Sequence, residues 1–129
     1  MNPHGKVWWN ELLTWNAEAA KAFYADIMGW TYRPLELPDK SIYWIAVKDD
    51  APVCGIFQLT APTFEGTPNF WMTCIAVDNI ERALQHAAAT GGQRLHGPFH
   101  SDYIGEVALL QDGGGAIVAF VQPNNQGPR

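Results

Sequence analysis

Several residue groups carry side chains able to do chemistry. Glu11 sits in Val7-Trp8-Trp9-Asn10-Glu11-Leu12-Leu13, a lone carboxylate in a run of tryptophan and leucine. If the run is a strand, alternation puts Glu11 on the same face as Trp9. Desolvation among such neighbours raises a carboxyl pKa, which suits a general base or a group that holds a ligand's amine or hydroxyl. A structural hydrogen bond or an interior ion pair is the competing use. His96 and His100 flank Gly97-Pro98-Phe99, and Glu106 follows, so the histidine spacing invites a zinc reading. Gly97 and Pro98 preclude the helix that would align the two imidazoles, and both are expected as exposed histidines in a strand-to-loop connection. His4 is expected in a mobile terminus and His86 on the polar face of a helix. Cys54 and Cys74, twenty residues apart in apparent strands, are expected as buried thiols, not a bridge, a redox pair or a zinc site. Asp112-Gly113-Gly114-Gly115 is followed by an apolar strand, so it reads as a hairpin turn and not as a phosphate-binding loop.

The elements that must hold these groups are readable from pattern. A strand is expected from Lys6 to Thr14, then a helix opened by Asn16, with Ala19, Ala20, Phe23, Tyr24 and Ile27 at helical spacing and Gly29 at its end. Strands follow around 30–37, 41–47 and 53–60, parted by turn-forming residues. The order then repeats. A strand near 70–77 leads to Asp78-Asn79-Ile80-Glu81, which reads as a cap, and to a helix whose stripe is Ile80, Ala83, Leu84, Ala87 and Ala88 before Gly91-Gly92. Strands are expected near 94–95, 106–111 and 116–122. The proposed caps, Asn16 and Asp78, and the terminal glycines, Gly29 and Gly91, are each 62 residues apart (78 − 16, 91 − 29). A doubled β-α-β-β-β unit is therefore the main organisational feature.

With 129 residues the chain has the size of one domain, and 47% hydrophobic residues are enough for a real core. Eight basic against thirteen acidic residues give a net charge of −5, which argues against a nucleic-acid partner. The longest apolar run near the end, Ala116 to Val121, is far too short to span a membrane. The first residues lack a secretory signal pattern, so the expected location is cytoplasmic. Six tryptophans, Trp8, Trp9, Trp15, Trp30, Trp44 and Trp71, are many for this length. Core, dimer interface and ligand stacking are all open uses for them.

The two modules, with Ala22-Phe23-Tyr24 leading to Gly29-Trp30 and Gln111-Asp112-Gly113-Gly114-Gly115 before the last strand, resemble the vicinal oxygen chelate superfamily of glyoxalases, bleomycin resistance proteins and extradiol dioxygenases. The resemblance implies an α+β fold over residues 1–129, with module one at about 7–60 and module two at about 70–123. Together they would form a curved, cup-like mixed sheet with helices outside, commonly in a homodimer. Metal-dependent members place histidine and glutamate ligands on inward strand positions. Matched onto this chain, those positions are Trp9, Gln58, Met72 and Ala119, and none is a usual ligand for a divalent metal. The expectation is therefore no metal and no cofactor. The ligand set expected for the cup is Trp9, Glu11, Gln58, Met72, Cys74 and Ala119, with Glu11 the one candidate catalytic group. The function implied is metal-independent binding or sequestering of a small apolar or aromatic molecule. A lyase, isomerase or dioxygenase using Glu11 or another metal site is the alternative.

Overall fold

The computed structural model describes residues 2–124. Its elements run β1 (Val7–Thr14), α1 (Ala17–Met28), β2 (Thr31–Glu36), β3 (Ile42–Lys48), β4 (Ala51–Gln58), β5 (Phe70–Ala76), α2 (Ile80–Ala89), β6 (Gln93–Ser101), β7 (Gly105–Gln111) and β8 (Ile117–Pro123). The α+β class and the repeated β-α-β-β-β order are as the sequence predicts. Two compact units emerge, one spanning Asn10–Trp71 and the other combining the described residues up to Trp9 with those from Met72 onward. In the first, the strand order is β2-β3-β4-β1, with β1 parallel to β4 and the other pairs antiparallel. In the second it is β5-β8-β7-β6, with β5 parallel to β8 and the rest antiparallel.

Helix α1 starts where Asn16 accepts a hydrogen bond from the Ala19 amide at 3.0 Å and ends where Gly29 takes the left-handed conformation, φ 73°. Its Ala17, Ala20 and Tyr24 pack with Leu12 of β1 and Ile56 of β4, and Tyr32 and Trp44 join the same cluster. Lys21 lies along this layer with Nζ 3.1 Å from the Trp44 ring centroid, so the charge rests on a ring face while its stem covers apolar surface. Helix α2 covers Val77, Ala108 and Leu110 with Ile80 and Leu84.

Two details differ from expectation at α2. The cap is Asn79, which accepts from the Arg82 amide at 2.9 Å, so the caps lie 63 residues apart (79 − 16). Asp78 is engaged differently: its amide donates to His4 Nδ1 at 3.0 Å, which also fixes a histidine expected to be loose. The helix closes at Thr90, one residue before the glycines, with Gly92 N–H donating to the Ala87 carbonyl at 2.7 Å.

The sixth strand is longer than expected. Gln93–Ser101 is one strand with irregular register at Arg94/His96 and His96/Phe99, so the two histidines lie in a strand and not in a loop. Bulges absorb Gly97-Pro98, and β6 ends its strand order, where a missing amide costs no ladder bond. His100 contacts Glu106 through Nδ1 and Asp102 Oδ1 through Nε2 at 2.8 Å.

The two helices share a fastening that sequence reading missed. Gln58, at the end of β4, accepts a hydrogen bond from the Ala17 amide at 2.8 Å, and Gln122, in β8, accepts one from the Ile80 amide at 2.8 Å. Ala17 and Ile80 are the first residues of their helices, whose amides have no partner within the helix. The Gln58 amide nitrogen also donates to the Trp15 and Leu59 carbonyls, at 2.8 and 2.9 Å. The outward side of the Asn10–Trp71 unit carries an aromatic cluster. Tyr24 stacks on Trp30 at 5.1 Å, and Trp71 meets both edge-on, with Phe23, Ile27, Met28 and Trp71 exposed.

Candidate functional site

Register decides which side chains share a face. In the Asn10–Trp71 unit, Leu12 pairs with Ile56 and Thr14 with Gln58, and Leu12 and Ile56 both pack under α1. Gln58 therefore lies on the helix-covered face, one residue out of step with the inward position expected of it, and its side chain is spent on the start of α1. The opposite face belongs to Glu11 beside Gly55 and Leu13 beside Phe57, with Tyr43 paired to Phe57 on the far side. Phe64 closes on Phe57, ring centroids 5.3 Å apart and nearly perpendicular.

Glu11 is 9% exposed, and the Tyr43 hydroxyl donates to its Oε1 at 2.8 Å. Burial pushes the carboxyl pKa up from the ordinary value of 4.5 to about 7, and the tyrosine hydrogen bond pulls the other way. Cys54 on β4 is pushed up to about 12, first by burial and then by the nearby Glu11 charge, so at neutral pH it is a thiol. Neither cysteine forms a disulfide, as expected.

In the second unit, Val118 and Phe120 pack toward α2, which leaves Ala119 on the opposite face beside its register partner Cys74. Met72 shares that face by alternation and is 1% exposed. Trp9, 7% exposed, meets Tyr103 with ring centroids 6.5 Å apart. The structure thus groups Met72, Cys74 and Ala119 on one face of one unit and sets Glu11 on the helix-free face of the other. Tyr43, Gly55 and Phe57 were missed from the sequence. The available signal was Gly55, a glycine inside an apolar strand, which marks a close approach of another group.

A divalent metal of the kind the resemblance implies does not fit these residues. One face offers a thioether, a thiol and a methyl group, and the other offers a single carboxyl already engaged by Tyr43. Among the described residues no group of three histidine, cysteine, aspartate or glutamate side chains is arranged to hold a metal ion. Also among them, no helix is long and apolar enough to cross a membrane.

Paired β-α-β-β-β modules, each with its helix on one face and a mostly apolar face left on the other, define the glyoxalase-like class of small-molecule proteins. Residues 9–120 match the model of the Glyoxalase/Bleomycin resistance protein/Dioxygenase superfamily, and the chain belongs to that family. It is 35% identical over 126 residues to the proteins named "Putative glyoxylase CFP32" of Mycobacterium tuberculosis and Mycobacterium bovis, covering 98% of this chain and 47% of theirs. The chain thus spans about half the length of those relatives. Among solved structures it resembles hypothetical protein BH1468 from Bacillus halodurans, with TM-score 0.68 and 15% identity over 97% of this chain and 99% of that one. It also resembles methylmalonyl-CoA epimerase from Mycobacterium tuberculosis, with TM-score 0.62 and 11% identity over 98% and 93%.

Proposed function

We propose that this chain binds a small apolar or aromatic molecule without a divalent metal and that Glu11 is the polar anchor for it. The observation that carries this reading is the buried Glu11–Tyr43 hydrogen bond on a helix-free face otherwise lined by Leu13, Phe57 and Phe64. A few placed polar groups on an apolar surface are what small-molecule recognition requires. Trp9, Met72, Cys74 and Ala119 are proposed as apolar ligand contacts within their own unit. Gln58 is not among the contacts, because its side chain holds α1. A titration of tryptophan fluorescence with 1-naphthol tests the reading. A saturable shift that weakens at least tenfold in Glu11→Gln supports it, and an unchanged affinity in that variant removes Glu11 as the anchor.

One observation favours a second reading, an isomerase or lyase acting on a carbonyl compound. A carboxyl whose pKa is about 7 populates both protonation states near neutral pH, the condition for taking a proton and returning it. The names of the relatives, a glyoxylase and an epimerase, lean the same way. Exchange of a substrate α-proton with deuterated solvent, lost in Glu11→Gln, is the outcome this reading expects. We also propose a cytoplasmic homodimer, in which the exposed Phe23, Ile27, Met28 and Trp71 meet a second copy. Native mass spectrometry of untagged protein gives the subunit number directly, and a monomer at micromolar concentration would remove that part.

A further inference from the structure

Register places Gly55 between Glu11 on β1 and Ile45 on β3. Tyr43 stands two residues from Ile45, opposite Phe57, and a side chain rising straight from that position would not reach Glu11. Its phenol instead lies along the sheet across Gly55, bringing the hydroxyl to Glu11 Oε1 at 2.8 Å. A β-carbon at residue 55 would overlap the hydroxyl and the ring carbons of Tyr43. Glycine weakens a strand interior, and Gly55 is not among the glycines with positive φ, so its backbone does not account for it. The phenol does. The Tyr43 hydrogen bond uses Oε1.

We infer that Tyr43 is the positioning residue for Glu11, that Gly55 is the gap in the sheet through which it acts, and that the arrangement selects a neutral ligand with a hydroxyl or amine that can donate to Oε2 over an anionic one. Tyr43 holds Oε1 and leaves Oε2 for the ligand. Its own proton is already given to the carboxyl, and Leu13, Ile45 and Phe57, which share its face, with Phe64 on Phe57, bring no cation that would accept a carboxylate or phosphate. The titratable groups around the carboxyl are Tyr43 from β3 and Cys54 from β4. This inference rests on the reading of Glu11 as ligand anchor, and its two tests separate the two claims.

The first test needs no ligand. Carbon-13 NMR of the Glu11 side-chain carboxyl gives its titration midpoint in the wild type, in Tyr43→Phe and in Gly55→Ala. Loss of the donor raises the midpoint in Tyr43→Phe by about one unit, a tenfold change in the ionisation constant. Gly55→Ala moves it the same way if the variant folds, and Tyr43→Phe, which keeps the ring, decides if it does not. A midpoint unmoved in Tyr43→Phe overturns the positioning role, since a purely structural tyrosine would leave it in place. The second test compares 1-naphthol with 1-naphthoate by tryptophan fluorescence at pH 8. The alcohol should bind at least tenfold more tightly than the carboxylate, and that preference should shrink in Tyr43→Phe. Equal affinities overturn the selection for neutral ligands. If neither compound binds, the anchor reading and the ligand selection both fall, while the NMR midpoint still settles what Tyr43 does.

Discussion

Replacing Glu11 by glutamine should make the protein more stable at neutral and alkaline pH and little changed in acid. In the folded state the carboxyl titrates at about 7, against an ordinary 4.5, because burial penalises its charge more than the Tyr43 hydrogen bond relieves it. Between those two values the folded chain binds more proton than the unfolded one. Stability therefore falls as pH rises through that window and levels off above it. A difference of about two and a half units at 1.36 kcal/mol per unit amounts to about 3 kcal/mol, with little discount for screening at a buried site. Glutamine keeps the shape and stays neutral, so it escapes this loss. Urea unfolding of both proteins at intervals from pH 4 to 8.5 measures the effect, since titrations shared by both chains cancel in the difference. The variant's advantage should grow by about 3 kcal/mol from the acid to the alkaline end. Parallel stability curves would refute the argument and place Glu11 in contact with water or with a compensating charge.

Three other perturbations have defined outcomes. Gln58→Leu leaves the Ala17 amide without its acceptor and should cost about 1 kcal/mol, read as a lower urea midpoint, and Gln122→Leu should do the same at Ile80. Leu13→Ala, at a side chain 1% exposed, should cost about 2–5 kcal/mol by the same assay. His100 is held protonated above its ordinary 6.5 by hydrogen bonds to Glu106 and then Asp102. Its imidazole resonances should titrate higher in the wild type than in Glu106→Gln, and equal midpoints would dismiss the contact.

The parts of this fold that are legible in the sequence are those written locally. Asn16 followed by an alanine-rich stripe and Gly29 marks α1 at both ends, and the same grammar recurs near Asn79. Asp112 with three glycines announces the β7–β8 hairpin, where its side chain accepts from the Gly114 and Ala116 amides at 3.0 and 2.9 Å. Face assignment is less local. Gln58 and Phe57 are neighbours, and only the parallel pairing of β1 with β4 says which one turns toward α1. Such a pairing joins residues more than forty apart and leaves no local trace. Glu11 was recognisable as a carboxylate among apolar neighbours, but Tyr43, 32 residues away, could not be joined to it without the register of β3 and β4. The length of β6 was hidden for a different reason, since Gly97-Pro98 usually ends a strand and here is carried by bulges on an edge.

The matched glutamines bear on how such a chain grows. Each tie closes inside a single module, from the last strand back to the first turn of that module's own helix, and takes nothing from the other module. A gene segment carrying one module therefore also carries the means of seating its helix. Copying such a segment would copy the fastener with it and leave the faces turned away from the helices free to differ, as they do here, one carrying Glu11 beside Gly55 and the other Cys74 beside Ala119.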